Sequence, residues 1–294
     1  MICPHCKSDD TIKRGNRDGK QRYRCNTCKT WFSEKQYNSK AKILLFDIET
    51  TPLLVHTWNL YPKFIPIGQI VEDWNIICWS AKWLYDDEVL SACQTPEEAV
   101  NRDDKRVTKE LWKLLDEADI LIAHNLVDFD LKKANSKFLL HGLIPPSPFQ
   151  MIDTLKIARS QFKMTSNKLD YLCKILGLNV KLPTTFDLWK GCLAGDPKSL
   201  NKMSTYCNQD TSILEDLYLK LRPWIKSHPN IALYYENTEN RCGNCGSENI
   251  NAITKKYYTP AGKYQVYRCL DCNSLTRSRQ ADKREKQLNR SLAR

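Results

Sequence analysis

No uninterrupted apolar run in this chain approaches the roughly 18 residues that a membrane-spanning helix needs. The longest near the start, Ile43 to Phe46, is only strand-sized. The opening residues Met1-Ile2-Cys3-Pro4-His5-Cys6 have neither the basic start nor the apolar stretch of a secretory signal. Both absences predict a chain that does not cross a membrane and is not exported by that route. A disulfide pattern is missing as well: Cys78, Cys93, Cys173, Cys192 and Cys207 lie scattered through the middle. An odd, unpaired remainder of that kind predicts a reducing compartment, with the cytoplasm as the expectation. What is present is ordinary for a globular protein, with 41% hydrophobic and 10% aromatic residues. At 294 residues the chain can hold one substantial core plus small satellites.

The net charge of +11 is unevenly spread. Residues 1–42 hold 11 Lys and Arg against 4 Asp and Glu, and residues 237–294 hold 12 against 5. The stretch between them holds 22 against 25, so basic ends flank a slightly acidic middle. Basic ends predict a polyanionic partner, and an acidic middle suits a site that collects carboxylates around cations.

The cysteines divide the chain at the same places. Eight of 13 form four Cys-x-x-Cys pairs: Cys3/Cys6 and Cys25/Cys28 at the front, Cys242/Cys245 and Cys269/Cys272 at the back. Within each end the pairs are separated by 18 or 23 residues, enough for a hairpin to bring one pair to the other. Four thiolates at such spacing predict one tetrahedral Zn²⁺ per end, two in all. Each zinc–thiolate centre adds −2, which leaves both ends basic. The two ends also repeat one another: Gly19-Lys20 leads to Tyr23-Arg24-Cys25, and Gly262-Lys263 leads to Tyr267-Arg268-Cys269. Both resemble zinc ribbons, the front one like those that open some transposases. The expected modules are residues 1–36 and 238–278, followed by a basic tail over 279–294. Basic and aromatic residues interleave at Arg22, Tyr23, Arg24, Lys29 and Trp31, and again at Lys255, Lys256, Tyr257, Tyr258, Tyr267 and Arg268. Such side chains can pair phosphates and stack bases. A metal that merely folds two short ends is the other reading.

Between the modules, residues 33–42 are polar and predict a linker. Ile43–Phe46 reads as a buried strand followed by an acidic turn, Asp47 to Pro52. Further strands are expected from Trp74 to Tyr85, Glu88 to Cys93, Ile120 to Ala123, and up to Asp153. Helices are expected from Pro96, over Val107–Ala118, from His124-Asn125 through about Leu140, and over 154–161, 167–176 and 198–222, the last stopped by Pro223. Strands first and then mixed with helices predict an α/β domain over residues 42–228 with a mixed sheet.

Asp47-Ile48-Glu49 ends the buried strand, where alternation puts both carboxylates on one side. Two carboxylates so placed repel unless a cation lies between them. Asp86-Asp87-Glu88 has the same pattern in a polar run and reads as a surface turn. A second acidic element, His124-Asn125-Leu126-Val127-Asp128-Phe129-Asp130, follows another buried strand. A third, Tyr206-Cys207-Asn208-Gln209-Asp210, lies inside a helix, where residues four apart share a face.

In this order and wording the three elements resemble the DEDD superfamily of 3′→5′ exonucleases. The matching positions are Asp47 and Glu49, Asn125 with Phe129 and Asp130, and Tyr206 with Asp210. The tyrosine points to the tyrosine-type branch, similar to proofreading domains of family B DNA polymerases. Met151–Leu155 and Lys168–Asp170 resemble the helical part of such domains. The resemblance covers about residues 42–225 and implies a ribonuclease H-like mixed sheet flanked by helices. It implies Asp47, Glu49, Asp130 and Asp210 as ligands of two Mg²⁺ or Mn²⁺ ions, with Asp47 shared between them. Since phenols ionise only near pH ~10, Tyr206 is expected to orient the attacking water more than to deprotonate it. Thr50 and Asn125 are candidates for gripping the terminal nucleotide, Phe129 for packing under the site, and His124 for a structural or substrate-proximal role. No polymerase palm follows residue 225, so the expectation is a free-standing exonuclease acting on DNA. RNA 3′-trimming is the alternative, and a catalytically silent nucleic-acid-binding protein the reading from another class. A replication or repair protein is an expected partner.

Overall fold

The computed structural model describes residues 3, 8–17, 20–29, 31–33, 41–180, 182–235, 240–260 and 262–282. The chain forms two compact units, Met1–Asn38 and Ser39–Arg294.

The first unit is a three-stranded antiparallel sheet in the order β1-β2-β3, with β1 Thr11–Arg17, β2 Lys20–Cys25 and β3 Trp31–Ser33. Cys25 closes β2, and the sulfurs of Cys3, Cys25 and Cys28 converge beside it. Tyr23 is buried, so its ring is packing material and not an exposed base-stacking surface. Residues 34–40 of the expected 33–42 linker, and Cys6, lie outside the described residues.

The second unit is built on a mixed five-stranded sheet in the order β10-β9-β4-β7-β8. Its first strand in sequence, β4, runs Ile43–Thr50, so the expected acidic turn is instead the end of the strand. The apolar run continues through Ile48, and pairing of Asp47, Ile48 and Glu49 with Ser80, Trp79 and Cys78 carries the extended conformation past the acids. The small hairpin of β5 Leu54–Val55 and β6 Ile70–Glu72 comes next. Then follow β7 Ile76–Trp83, β8 Leu90–Cys93, α1 Pro96–Val100, α2 Lys105–Glu117, β9 Ile120–Ala123, α3 Asp130–Leu140 and β10 Gln150–Asp153. Strands β10, β9 and β4 are parallel, while β4, β7 and β8 are antiparallel. The remaining helices of the domain are α4 Thr154–Gln161, α5 Leu169–Ile175, α6 Phe186–Leu193 and α7 Pro197–Leu221.

Strand β4 is the axis of the domain because it is apolar on both faces. Leu44, Phe46 and Ile48 pack with Val107, Leu111 and Leu115 of α2 and with Ala134 and Phe138 of α3. Ile43 and Leu45 pack on the other face with Leu214 and Tyr218 of α7. Each such side chain contributes about 1.5–3 kcal/mol on burial. Side chains alternate along a strand, so Asp47 and Glu49 continue the series that faces α7. That alternation decides which helix completes the acidic site.

Helix α7 begins with the Asp196 side chain accepting from Ser199 N–H at 2.9 Å and Pro197 in its first turn. It gives way to a short 3₁₀ turn, Arg222–Trp224, where Pro223 lacks the N–H for another helical bond. Helix α6, which periodicity did not suggest, lies against it. A Cβ on Gly191 would collide with Ser199, so that close approach needs glycine. An interior glycine costs about 1 kcal/mol of helix propensity, which hides the helix in the sequence. Helix α3 starts at Asp130 and not at Asn125, whose φ of 85° breaks the chain between strand and helix.

The second antiparallel sheet closes this unit, with β11 Ile250–Thr259, β12 Gly262–Cys269 and β13 Leu275–Arg277. It is anchored at the end of α7. Asn244 Nδ2 donates to the Arg222 carbonyl at 3.2 Å, and Ile231 N–H donates to the Gly243 carbonyl at 2.7 Å. The buried Arg222 guanidinium stacks near Tyr218 and donates to the Tyr85 hydroxyl. No helix among the described residues is long and apolar enough to cross a membrane.

Candidate metal-dependent active site

Three of the expected acids meet. One carboxylate oxygen from each of Asp47, Glu49 and Asp210 lies within 4.8 Å of the other two. Asp130 stands at the first position of α3, 1% exposed, outside that tight trio but close to it. Burial raises its carboxyl well above the usual carboxylate range, and repulsion from Asp47 adds to the effect. Its Oδ1 is buried with no hydrogen-bond partner among the described residues. Asp128, two residues earlier, behaves oppositely. It is exposed, and its ion pairs with Lys156 and Lys132 hold its carboxyl low. Of the two, Asp130 is the one that feels the charges of Asp47 and Glu49.

Oxygen donors with an orphaned buried carboxylate atom fit hard divalent cations. An uncompensated carboxylate in that position costs stability, and a cation removes the cost.

Asp47 and Asp210 line a cleft of about 920 Å³, together with Tyr206, His124, Asn125 and residues of the 165–170 and 182–184 segments. His124 is held on both ring nitrogens, Nδ1 by Thr154 Oγ1 and Nε2 by the Asn167 carbonyl, each at 2.9 Å. That arrangement ties β9 to the 165–170 wall and gives His124 a structural part at the cleft edge. Asn125 reaches the cleft through its left-handed backbone, which asparagine tolerates better than most residues. Its N–H and that of Val127 donate to the two carboxylate oxygens of Asp153, at 3.2 and 3.1 Å. The same carboxylate accepts from Leu155 and Lys156 N–H and so caps α4. Asp153 thus shapes the loop between β9 and α3 that delivers Asp130.

Phe129 packs half-buried against the core beside Trp74. Thr50 ends β4, and its carbonyl accepts from Trp189 Nε1 at 3.2 Å. The Trp189 ring meets Tyr206 edge-on at 6.4 Å, which holds the tyrosine between α6 and β4.

Cys207 is the residue that the sequence did not single out. Burial pushes its thiol up to about 11, so it remains protonated at neutral pH. Its sulfur lies 3.6 Å from both the backbone oxygen and Oδ2 of Asp47. The thiol can therefore donate to the carboxylate and steady it from beneath. Its only sequence signal is its place one residue after Tyr206 on the same helix. Arg159 and Lys168 also line the cleft and were not expected.

The terminal cysteines converge as the spacing requires. Sulfurs of Cys242, Cys245, Cys269 and Cys272 all lie within 4.8 Å of one another, with Cys242–Cys272 and Cys245–Cys269 at 3.6 Å. A tetrahedral zinc with Zn–S bonds of about 2.3 Å has S–S edges of about 3.8 Å, so the four fit such an ion.

The two turns of this module are copies. Cys242 N–H donates to the Ser247 carbonyl and Cys269 N–H to the Ser274 carbonyl, with left-handed Gly246 and Asn273 at matching places. At the front, Cys3 N–H donates to the Ser8 carbonyl, and Lys29 is left-handed one residue after Cys28. Gly246 cannot be replaced, since a Cβ there would strike the Tyr235 ring.

Comparison with known proteins gives the same outline. An alignment covering 46% of this chain is 30% identical to a DNA polymerase III PolC-type of Ureaplasma parvum serovar 3. That alignment spans only 10% of the polymerase. The family B DNA polymerase from the archaeon Pyrobaculum calidifontis overlaps 66% of this chain and 26% of its own, at a TM-score of 0.46 and 17% identity. The sequence model of the RNase_H superfamily matches residues 74–222, the stretch from just before β7 through the end of α7. The match takes in Asp130, Tyr206 and Asp210 and begins after the acidic pair on β4. With half of its length matched in this way, the chain belongs to the RNase H superfamily.

Proposed function

We propose that this protein is a metal-dependent 3′→5′ exonuclease of the tyrosine-type DEDD branch, acting on DNA. The observation that carries the reading is the meeting of Asp47, Glu49 and Asp210 with the buried, electrostatically coupled Asp130. The similarity of half the chain to a DNA polymerase supports DNA as substrate.

Asp47, Glu49, Asp210 and Asp130 would hold two Mg²⁺ or Mn²⁺ ions, which when bound supply Lewis-acid activation of water and charge stabilisation at the leaving oxygen. Cys207 steadies Asp47 for that task. Tyr206, fixed by Trp189 at the cleft wall, orients the attacking water. Asn125 and Thr50 grip the terminal nucleotide from either side of the acids, and Phe129 packs beneath. Cys242, Cys245, Cys269 and Cys272 would hold one Zn²⁺ at the back and Cys3, Cys25 and Cys28, with Cys6 as the fourth ligand, one at the front, and the basic modules meet the phosphate backbone. Thiols kept reduced in this number suit a reducing intracellular compartment.

The test is release of mononucleotides from a 3′-labelled strand in Mg²⁺. Asp47→Ala should lower the rate by at least about a thousandfold, the loss of several kcal/mol of metal-borne stabilisation. Undiminished release by that variant overturns the reading. Running DNA and RNA strands of one sequence side by side decides the substrate.

A further inference from the structure

The hairpin between β5 and β6 carries side chains that stay exposed among the described residues. Trp58 is 93% exposed, Tyr61 92% and Phe64 77%, with Leu60 and Ile67 exposed between and beyond them. Leu139, Leu140, Ile144 and Tyr258 are also exposed elsewhere in the unit, but in this loop five such side chains, three of them aromatic, fall within ten residues. An exposed apolar surface of this density marks an interaction site.

The loop is held in shape at its base. Leu54 and Val55 pair with Glu72 and Ile70, and His56 N–H donates to the Gln69 carbonyl at 2.9 Å. Arg102 clamps the returning strand, bonding Glu72 at 2.8 Å and the Asp73 carbonyl at 2.7 Å. Pro62 and Pro66 limit the backbone further. The aromatic tips are thus presented in place.

Three features decide among occupants. The exposed rings are Trp, Tyr and Phe at 58, 61 and 64, whose flat faces suit the faces of nucleobases. Residues 53–71 contain no Asp or Glu, and Lys63 is the one permanent charge, so the loop accepts a polyanion in an otherwise acidic domain. The hairpin also springs from the end of β4, four residues after Thr50, and returns through Asn75, which bonds Thr51 at 2.7 Å. It is therefore continuous with the strand that carries Asp47 and Glu49. A membrane-seeking segment would instead be a regular amphipathic helix rich in Lys and Arg.

We infer that the 56–67 loop is a stacking clamp for single-stranded nucleic acid, in which Trp58, Tyr61 and Phe64 take up unpaired bases of the strand whose 3′ end occupies the carboxylate cleft. This rests on the nuclease reading for the identity of the strand. Because bases of every type have a stacking face, the clamp grips without reading sequence.

The experiment uses the full chain without added Mg²⁺ or Mn²⁺, titrated with an oligothymidylate and with an abasic deoxyribose-phosphate oligomer of equal length. Trp58 is one of eight tryptophans, so its emission is taken as the difference between the unsubstituted protein and Trp58→Phe. The oligothymidylate should quench that difference signal, and the abasic oligomer should not. Combined Trp58→Ala, Tyr61→Ala and Phe64→Ala should weaken oligothymidylate binding about tenfold or more while leaving abasic binding within about twofold. Equal affinity of the triple variant, or equal loss for the abasic strand, overturns the proposal. So does a dimer in sedimentation that the triple variant dissolves with strand affinity unchanged, because the occupant is then a second copy. Mononucleotide release in Mg²⁺ is measured in parallel. Release without Trp58 quenching removes the clamp alone, and quenching without release removes the nuclease reading and leaves a strand-binding loop.

Discussion

The sulfurs of Cys242, Cys245, Cys269 and Cys272 are buried and come from two turns that repeat each other, each closed by its own backbone bonds. The carboxylates of Asp47, Glu49 and Asp210 come from a strand and a helix far apart in sequence, and Asp47 and Asp210 open on a cleft. Soft donors closed on every side suit an ion that holds structure, whereas hard donors with open positions suit ions that meet substrate. The thiol cluster organises a small sheet with little core of its own. The carboxylate cluster is imposed by a core already formed, since burial of β4 holds its acids together against their repulsion. On the proposed reading a zinc ion would make the fold in the first case, and in the second the fold would make the metal site.

If that contrast holds, the largest effect should come from the closed site. Cys245→Ala should halve the zinc content from two ions per chain to one, measured by mass spectrometry. The module over 240–282 should then become protease-sensitive, because structural zinc supplies on the order of 10 kcal/mol to such folds. Retention of both zinc ions would break the comparison. Brief EDTA treatment and desalting should next remove strand hydrolysis by more than about a hundredfold, with zinc content unchanged and full recovery in Mg²⁺. Simultaneous loss of zinc would show that the two sites do not differ in exchange.

Smaller effects sharpen the open site. Tyr206→Phe should slow hydrolysis by about tenfold to a hundredfold, at the low end for acid–base groups, with the shape of the pH profile retained. A changed profile would make the phenol a proton carrier and not an orienting group. The smallest effect concerns Asp130. Its carboxyl is raised in the folded, metal-free protein, so the folded state keeps its proton to higher pH than the unfolded state does. Stability associated with that proton is present at low pH and lost as pH rises through the folded value. Asp130→Asn should therefore raise the urea midpoint of the Mg²⁺-free protein at pH 8, by the order of 1 kcal/mol, with the gap closing in acid. It should also abolish the stabilisation that Mg²⁺ gives the unsubstituted protein. A lowered midpoint at pH 8 would show that the buried carboxylate is satisfied without a cation.

The two sites were legible to different degrees. Each Cys-x-x-Cys turn writes itself in four to six residues, down to Ser8, Ser247 and Ser274 at the same offset from the leading cysteine. The acids are legible one at a time only as pattern, and it was resemblance that grouped them. Strand β4 was visible as an apolar run, but its extension through Thr50 follows from pairing with β7, which no local signal announces. Helix α6 was hidden by Gly191, whose value lies in the approach to Ser199. Cys207 looked like an unpaired leftover because its partner, Asp47, is remote in sequence. Asp153 looked like the end of a short strand, although its carboxylate organises the loop before Asp130.

By itself the sequence determined the local things: which residues can ligate a soft or a hard cation, where apolar strands run, where α7 must stop, and that the ends are basic. These follow from residue chemistry and spacing within a few positions. Only the tertiary structure decided that Asp130 is buried near Asp47 while Asp128 pairs with lysines at the surface, that Tyr23 is buried, that a thiol supports Asp47, and that the rings of the 56–67 loop stay exposed among the described residues. Burial and neighbours across the chain set those outcomes, because desolvation and contact are properties of where a side chain ends up and not of the residues beside it in sequence.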